Sequence, residues 1–201
     1  MPLANTTKLE AINTMMSAIG EAPVNTLDAS SQTQDVIMAK SILDEVSREV
    51  QSAGWHFNRE YEVSLSPNTS NEILLSENVA RVDVEPVNSS TTQYIQRGQK
   101  IYNKTDKTFT ISDALKCTVV YLLDWTDLPQ AARQYIMIRA ARKLQDRVVG
   151  SGKHHDFNQM DEYQSLVTLR EAESDNADYT IFDNYDVKRT IDRGNVRNRI
   201  S

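Results

Sequence analysis

The sequence LDEVSREVQSAGWHFNREYEVSL, residues 43–65, decides how this chain folds. Its first part continues an apolar row that starts at Val36 and repeats every three or four residues, which predicts an amphipathic helix. Gly54 follows the row, where a helix favours a residue that tolerates a left-handed backbone. From Trp55 onward apolar and polar residues alternate as in a strand. We therefore expect a helical part to meet a β part here, with Trp55 and Phe57 anchoring the joint.

Two helices are predicted before this joint. Thr7 and Glu10 have the spacing of a capping box, and the apolar row that follows them ends at Gly20. The second helix covers about 33–53. Two amphipathic helices that follow each other so closely should pack together.

Residues 59–125 show no helical pattern and predict a small antiparallel β meander. Short runs of alternating or β-branched residues are separated by proline, asparagine and glycine. The turn at Gly98 predicts a hairpin in which Tyr94 and Tyr102 lie near each other across the two strands. The predicted strands are 61–65, 72–75, 80–84, 93–96, 100–102, 108–111 and 118–123.

Two further helices are predicted after the meander. Pro129 suits the first turn of helix three, about 129–149, whose apolar residues surround much of its circumference and predict the most buried helix. Helix four, about 153–176, has an acidic side, with seven Asp or Glu against one Arg from Asp156 to Asp178. Such a run is typical of a solvated face, and the alternative is a face turned to a basic partner. Its apolar side is predicted to contain Phe157, Met160, Tyr163, Leu166, Val167 and Leu169.

The predicted fold class is therefore α+β. An antiparallel bundle of about four helices has a small antiparallel β meander inserted in it, and an extended C-terminal arm follows. Residues 1–58 supply helices one and two, 59–125 the meander, 126–178 helices three and four, and 179–201 the arm.

Composition narrows the function classes. A net charge of −6 argues against wholesale binding to a phosphate backbone, which normally needs a basic face. Cys117 is the only cysteine, so no intramolecular disulfide forms. The N-terminus lacks the apolar region of a signal peptide, and no apolar run has the length of a membrane span. We expect a protein that folds in a cytoplasm.

No catalytic, metal or cofactor motif is present in the sequence. Gly150 to Lys153 evokes a phosphate-binding loop, but Arg147 and His154 stand where that motif needs Gly and Ser or Thr. Adjacent histidines at 154 and 155 would point about 100° apart on a helix and would not converge on one ion. We expect no cofactor. The many carboxylates leave a glycosidase-type pair open.

Three stretches together resemble the tail tubular protein A family, the head-to-tail adaptor of short-tailed phages related to T7. These are MSAIGEAPVNTLDA at 16–29, EVQSAGWHFN at 49–58, and Leu128-Pro129 with the Tyr-Ile-rich turn and Ala-Ala-Arg that follow. The combination of Ile-Gly-Glu with the later Gly-Trp-x-Phe-Asn is the specific part. The resemblance covers about residues 7–175.

This resemblance implies a structural protein of the virion tail, assembled in the host cytoplasm, and no enzyme. Family members form a dodecameric ring between the portal protein and the tail nozzle protein, which is similar to tail tubular protein B. DNA passes through the lumen without sequence-specific binding. The helical bundle would face the portal, and the β part would lie nearer the nozzle and the tail fibre.

Two sets of candidate interaction residues follow. The tail of the chain has five cations and scattered apolar residues, which suit an arm that orders on a neighbouring subunit or the portal. Its candidate contacts are Tyr179, Phe182, Tyr185, Lys188, Arg189, Arg193, Arg197 and Arg199. The candidates for a negatively charged lumen wall are Asp161, Glu162, Glu171 and Glu173.

Two other functions stay open at this point. One is a glycan-cleaving tail hydrolase that uses paired carboxylates. The other is a host-side α+β binding module with no role in the virion.

Overall fold

The computed structural model describes residues 4–28, 33–85, 92–150 and 152–177, without the side chains of 152–158 and 176–177. These residues form four helices and two small antiparallel sheets, which confirms the predicted α+β class. The predicted C-terminal arm, 179–201, lies outside the described residues. The helices are α1 (Lys8–Ala18), α2 (Gln34–Ser52), α3 (Gln130–Val148) and α4 (Gly152–Ala177). The strands are β1 (Arg59–Leu65), β2 (Val79–Val84), β3 (Tyr94–Arg97), β4 (Lys100–Asn103) and β5 (Leu115–Tyr121).

The helix boundaries follow the capping signals of the sequence. Thr7 Oγ1 accepts a hydrogen bond from the Glu10 amide at 3.2 Å, and the Glu10 carboxylate accepts one from the Thr7 amide at 2.7 Å. This capping box satisfies two amides that have no partner within the helix. Gly20 and Gly54 adopt φ of +82° and +77°, the left-handed conformation expected after α1 and α2.

α3 is the central helix of the bundle and packs against α1, α2 and α4. The ion pairs between α2 and α3 run in opposite directions along the chain, because Glu49 pairs with Arg139 and Glu45 with Arg147, so α2 is antiparallel to α3. Trp55 and Phe57 are half-buried against the edge of the bundle core and serve as the predicted anchor. They do not begin a strand, because His56–Asn58 forms a single 3-10 turn before β1. The buried residues of this core are Ala11, Ile12, Met15, Met16, Val36, Ala39, Ile42, Leu43, Val46, Val50, Leu128, Ala132, Tyr135, Ile136, Met137, Ala140, Leu144 and Leu169.

The three-stranded sheet has the order β1-β5-β2, so the last strand lies in the middle. β5 therefore joins both edges of the sheet and then leads directly back to the bundle. A bulge interrupts β1 between Glu60 and Val63, with Glu62 at φ +54°. The bulge breaks the predicted alternation, and Tyr61 ends up exposed. A bulge at an edge strand also discourages pairing with another chain.

β3 and β4 form the predicted hairpin, with Gly98 at φ +60° in its turn. Tyr94 pairs with Asn103, and Tyr102 pairs with Ile95. Because neighbouring positions on a strand face opposite sides, the two tyrosines lie on opposite faces, and the prediction that they meet is wrong. The runs 72–75 and 108–111 do not form strands. They contribute single bridges, Leu74 to Lys100 and Thr108 to Asn103.

The predicted apolar side of α4 is partly wrong. Leu169 is buried and Leu166 packs against the bundle core, but Met160 and Tyr163 are each 65% exposed. Met160 and Leu169 are nine residues apart, which corresponds to opposite sides of an α-helix at 100° per residue. The apolar residues of α4 therefore divide between a core-facing side and a solvent-facing side. The side chain of Phe157 lies outside the described residues.

Candidate functional site

The joint between the bundle and the sheet is held by a buried amide side chain. Asn58 is only 3% exposed and ends the 3-10 turn after α2. Its Oδ1 accepts a hydrogen bond from the Trp55 amide at 2.8 Å. Its Nδ2 donates to the carbonyl oxygens of Gln51 in α2 at 2.9 Å and Tyr121 in β5 at 2.7 Å. One side chain thus fixes the last turn of α2 to the end of the central strand.

A second buried amide repeats this connection. Gln51 Oε1 accepts from the Leu123 amide at 2.7 Å, and Gln51 Nε2 donates to the Leu123 carbonyl at 3.2 Å. The backbone between these amides is tightly enclosed, since a Cβ on Gly54 would lie 2.9 Å from Val120 Cγ2 and 2.8 Å from Arg59 Nη2. The joint therefore requires glycine both for its positive φ and for space. Sequence reasoning identified Gly54 and quoted Asn58 only as the last residue of the family signature. It gave neither amide side chain a role, because an isolated Asn or Gln gives no periodic signal.

A buried arginine fastens the N-terminal segment to the start of α3. Arg133 is 6% exposed and donates to three carbonyl oxygens, those of Leu128 at 2.8 Å, Thr126 at 2.6 Å and Thr6 at 3.0 Å. The indole Nε1 of Trp125 donates to the same Thr6 carbonyl at 2.9 Å. These bonds satisfy the guanidinium without a carboxylate, so Arg133 has a structural role that its sequence context did not reveal.

A charge network crosses the bundle along α3. Lys143 Nζ lies 2.7 Å from Glu49 Oε2, and Arg147 lies 3.3 Å from Glu45, so the cations of α3 meet carboxylates of α2. On its other side α3 meets α4, where Glu162 pairs with two arginines. Ion pairs arranged as a network fix helix register better than isolated surface pairs do. The members are Glu45, Glu49, Arg139, Arg142, Lys143, Asp146, Arg147 and Glu162.

The network shifts the pKa values of Glu49 and Arg139. Hydrogen bonding from Lys143 lowers the pKa of the Glu49 carboxyl, against a smaller opposing effect of burial. For Arg139, burial favours a lower pKa, but the hydrogen bond to Tyr135 and the charges of Glu49 and Glu162 raise the pKa above its ordinary value. Both groups therefore stay charged at neutral pH.

The four lumen candidates occupy two different environments. Glu162 is only 14% exposed and pairs with Arg139 and Arg142 of α3. Glu173 accepts a hydrogen bond from the backbone amide of His56, so it ties α4 to the joint. Asp161 and Glu171 are exposed. Only these last two present their carboxylates freely enough to face a channel or a partner.

The candidate contacts of the arm lie outside the described residues. This applies to Tyr179, Phe182, Tyr185, Lys188, Arg189, Arg193, Arg197 and Arg199. They are not placed relative to the bundle, and their role stays a prediction.

The described side chains form no recognisable catalytic centre. Burial, with smaller effects of Glu85 and Asp83, raises the pKa of the Cys117 thiol to about 11, which makes this sulfur a poor nucleophile at neutral pH. Among the described residues no group of His, Cys, Asp and Glu side chains has the arrangement of a metal site. In the same residues no helix combines the length and the apolar character needed to cross a membrane.

Comparison with known proteins assigns the chain to a family. A model of the tail tubular protein family matches residues 9–179, which covers both sheets and the four helices except Lys8, the first residue of α1. Comparison with curated proteins gives no match.

Proposed function

The chain belongs to the tail tubular protein family, a family of structural phage tail proteins, and on this premise we propose that it is the head-to-tail adaptor of a short-tailed phage. Copies of the chain would form a ring that joins the portal protein to the tail nozzle protein and surrounds part of the DNA ejection channel. The observation that carries this proposal is the family match over residues 9–179. The protein would act in the virion tail after assembly in the host cytoplasm.

The architecture suits a passive connector. The bundle is braced by an apolar core and by the charge network on α3, and the amides of Asn58 and Gln51 fix the sheet to it. A connector must transmit position between two partners, which requires that its two parts keep a fixed relation. We propose that the bundle faces the portal and that the β part lies nearer the nozzle and the tail fibre.

The lumen of the proposed ring would be net acidic. Protein contacts with DNA phosphates come mainly from Lys and Arg, so a negative wall would let DNA slide without adhering. Of the four candidates, Asp161 and Glu171 are exposed, whereas Glu162 and Glu173 are held by contacts within the chain. We assign Asp161 to the lumen wall. Replacing Asp161 with Lys should slow DNA release from assembled particles, and unchanged release would remove Asp161 from the lumen wall.

Mixing the protein with its portal tests the adaptor role directly. Negative-stain images of portal particles with the full chain should show a new ring of density at one end of the portal. The protein alone should sediment as a monomer or a weak associate, because net negative copies repel and the portal supplies further contacts. A chain that leaves portal particles unchanged but cleaves host polysaccharide would instead be a tail hydrolase. Absence of the chain from purified particles would favour a host-side module.

Truncation after Asp178 tests the arm. The removed segment has five cations and no apolar periodicity, so a contact with acidic surfaces of a partner is the role that its composition supports. We expect an unchanged unfolding midpoint and weaker attachment to the portal. Attachment equal to that of the full chain would refute the arm, and so would a truncated chain that fails to fold.

A further inference from the structure

The hairpin of β3 and β4 has one buried face and one face turned to solvent. Ile101 and Asn103 are buried on the inner side. On the outer side Ile95 lies opposite Tyr102, and Arg97 lies opposite Lys100, because paired residues of an antiparallel ladder share a face. Leu74 joins this face through its bridge to Lys100, and Phe109 joins it through an edge contact with the Tyr102 ring, with the ring centroids 5.0 Å apart. The ribbon face, as we name it, consists of Leu74, Ile95, Arg97, Lys100, Tyr102 and Phe109.

The ribbon face combines cations with exposed apolar groups. The Arg97 guanidinium lies 3.7 Å from the centroid of the Tyr102 ring and makes no ion pair within the described part of the chain. Lys100 Nζ forms an ion pair with Glu72 Oε2 at 2.7 Å. Leu74 is 55% and Ile95 37% exposed. Arg97 and Lys100 are the cations of the ribbon face, and Glu72 is the carboxylate paired with Lys100, so Arg97 supplies the uncompensated positive charge.

The outer side of α4 has the opposite character. Met160 and Tyr163 are exposed there, and Glu171 and Asp175 continue the same side toward the end of the helix. The exposed carboxylates Asp161, Glu171 and Asp175 outnumber Arg170, the one exposed cation described on this helix. We call Met160, Tyr163, Glu171 and Asp175 the α4 face.

We propose that the ribbon face of one copy binds the α4 face of a second copy. The charges are complementary, and each face adds exposed apolar side chains that the contact would cover. Tyr163 and Glu171 are eight residues, about 12 Å, apart along the helix. The ribbon face spans three adjacent segments at about 5 Å each, so the two faces match in extent.

The ribbon face and the α4 face are two different patches, so their contact can repeat from one copy to the next. Within one chain α4 packs against α3 and the turn at His56–Asn58, whereas the hairpin packs against β2, so both faces remain open to another copy. When such a contact repeats head-to-tail from copy to copy it is heterologous, and it forms a ring if the rotation between copies closes. The inference rests on the proposed adaptor ring and assigns the surfaces that would build it.

Charge reversal with mixing tests the assignment. Arg97→Glu gives the ribbon face the same negative charge as the α4 face. Glu171→Arg gives the α4 face the same positive charge as the ribbon face. Each variant alone should associate about tenfold more weakly than the parent chain in sedimentation at low salt, the size of one unfavourable charge contact. An equimolar mixture should recover parent-like association, because alternating copies then present one native contact and one reversed but complementary contact.

The control variants distinguish an effect that is specific to the two faces from an effect of the changed net charge. Lys116→Glu and Glu21→Arg make the same charge changes at exposed positions outside both faces, and their association should not depend on mixing. Tyr163→Ala removes exposed apolar area without a core contact, so it should weaken association and leave the unfolding midpoint unchanged.

The outcomes distinguish this inference from the adaptor role. If the two variants associate like the parent, or if their mixture shows no recovery, the assignment of faces is overturned, even where the parent chain still forms a ring on portal particles. If mixing restores association but no variant or parent chain binds portal, the faces stand and the adaptor role fails. Where the parent chain is monomeric in solution at every concentration and salt tested, the same variants are compared on portal particles, and ring density that neither variant alone reduces overturns the assignment.

Discussion

The helical bundle and the β part of this molecule are stabilised in different ways. Among the described residues, the bundle core contains 18 buried apolar residues and the β core contains 8. The β part compensates with side chains that bond its own backbone. Asn103 Oδ1 accepts from the amides of Thr105 and Asp106 at 3.0 Å each, and Gln96 accepts from the Val82 amide at 3.0 Å.

This difference suggests that the two parts differ in stability. Apolar burial is the larger stabilising term, so the bundle should be the more stable part and the β part the one that opens first. The two parts are joined by buried amides and by Gly54, which makes the joint the point where their stabilities are coupled.

The largest expected effects come from cavities in the two cores. Ile136 in α3 and Ile101 in β4 are both fully buried. Truncation to Ala should cost roughly 2–5 kcal/mol at either site. We expect Ile136→Ala near the upper end, because the surrounding bundle cannot collapse into the space, and Ile101→Ala near the lower end, because a two-stranded hairpin can shift. Urea unfolding measures both.

Ile37→Ala, at an exposed apolar position of α2, is the matched control and should change stability little. A cost for Ile101→Ala that equals or exceeds that of Ile136→Ala would contradict the ranking of the two cores.

The joint is the next most sensitive site. Asn58→Ala leaves the Trp55 amide and the carbonyls of Gln51 and Tyr121 without their buried partner, and the expected cost is roughly 2–4 kcal/mol. Because the lost bonds link the two parts, we expect calorimetry to resolve a separate, earlier transition for the β part. His56→Ala, at the exposed neighbour of Trp55, should leave one transition. A single unshifted transition in the Asn58 variant would show that the coupling lies elsewhere.

Acid should weaken the bundle through its charge network. The folded state lowers the pKa of Glu49 below its ordinary value of 4.5, so the unfolded state binds more protons as the pH falls through that value. The stabilisation is present above about pH 4.5 and is lost below it. Glu49→Gln should therefore flatten the decline of the unfolding midpoint with falling pH. Glu77→Gln, an exposed carboxylate near β2, should leave the decline as it is.

The sequence predicted the parts of this fold that depend on periodicity and capping. The capping box at Thr7, the glycine stops and the apolar row of α2 each act within one or two turns of chain, so local pattern determines them. The position of β5 in the middle of the sheet depends on pairing across about fifty residues, and no local signal specifies it. The same holds for the register that separates Tyr94 from Tyr102.

The interaction surfaces were harder to predict than the fold. An acidic run on α4 was visible in the sequence, but the contacts that hold Glu162 and Glu173 come from α3 and from the joint, which only the tertiary structure brings near. Met160 and Tyr163 match a core stripe in the sequence and are exposed in the structure. The helix surface alone did not indicate which side would face α3.

The smallest expected effect is a difference in thiol labelling rate, which compares how often the β part and the bundle open. Cys117 is fully buried in the β core, and burial raises the pKa of its thiol from 9.0 to about 11. At pH 8 this lowers the thiolate population about a hundredfold, so an aromatic disulfide reagent should label Cys117 only when the β part opens.

Val46→Cys in a Cys117→Ser chain places a matched buried thiol in the bundle. We expect the thiol at position 46 to react more slowly than Cys117 in the parent chain, because the bundle opens less often. In strong denaturant both thiols should react at the rate of an exposed cysteine, which shows that the difference belongs to the folded state. Equal labelling rates under native conditions would mean that the two parts open together, and the β part would then be no weaker than the bundle.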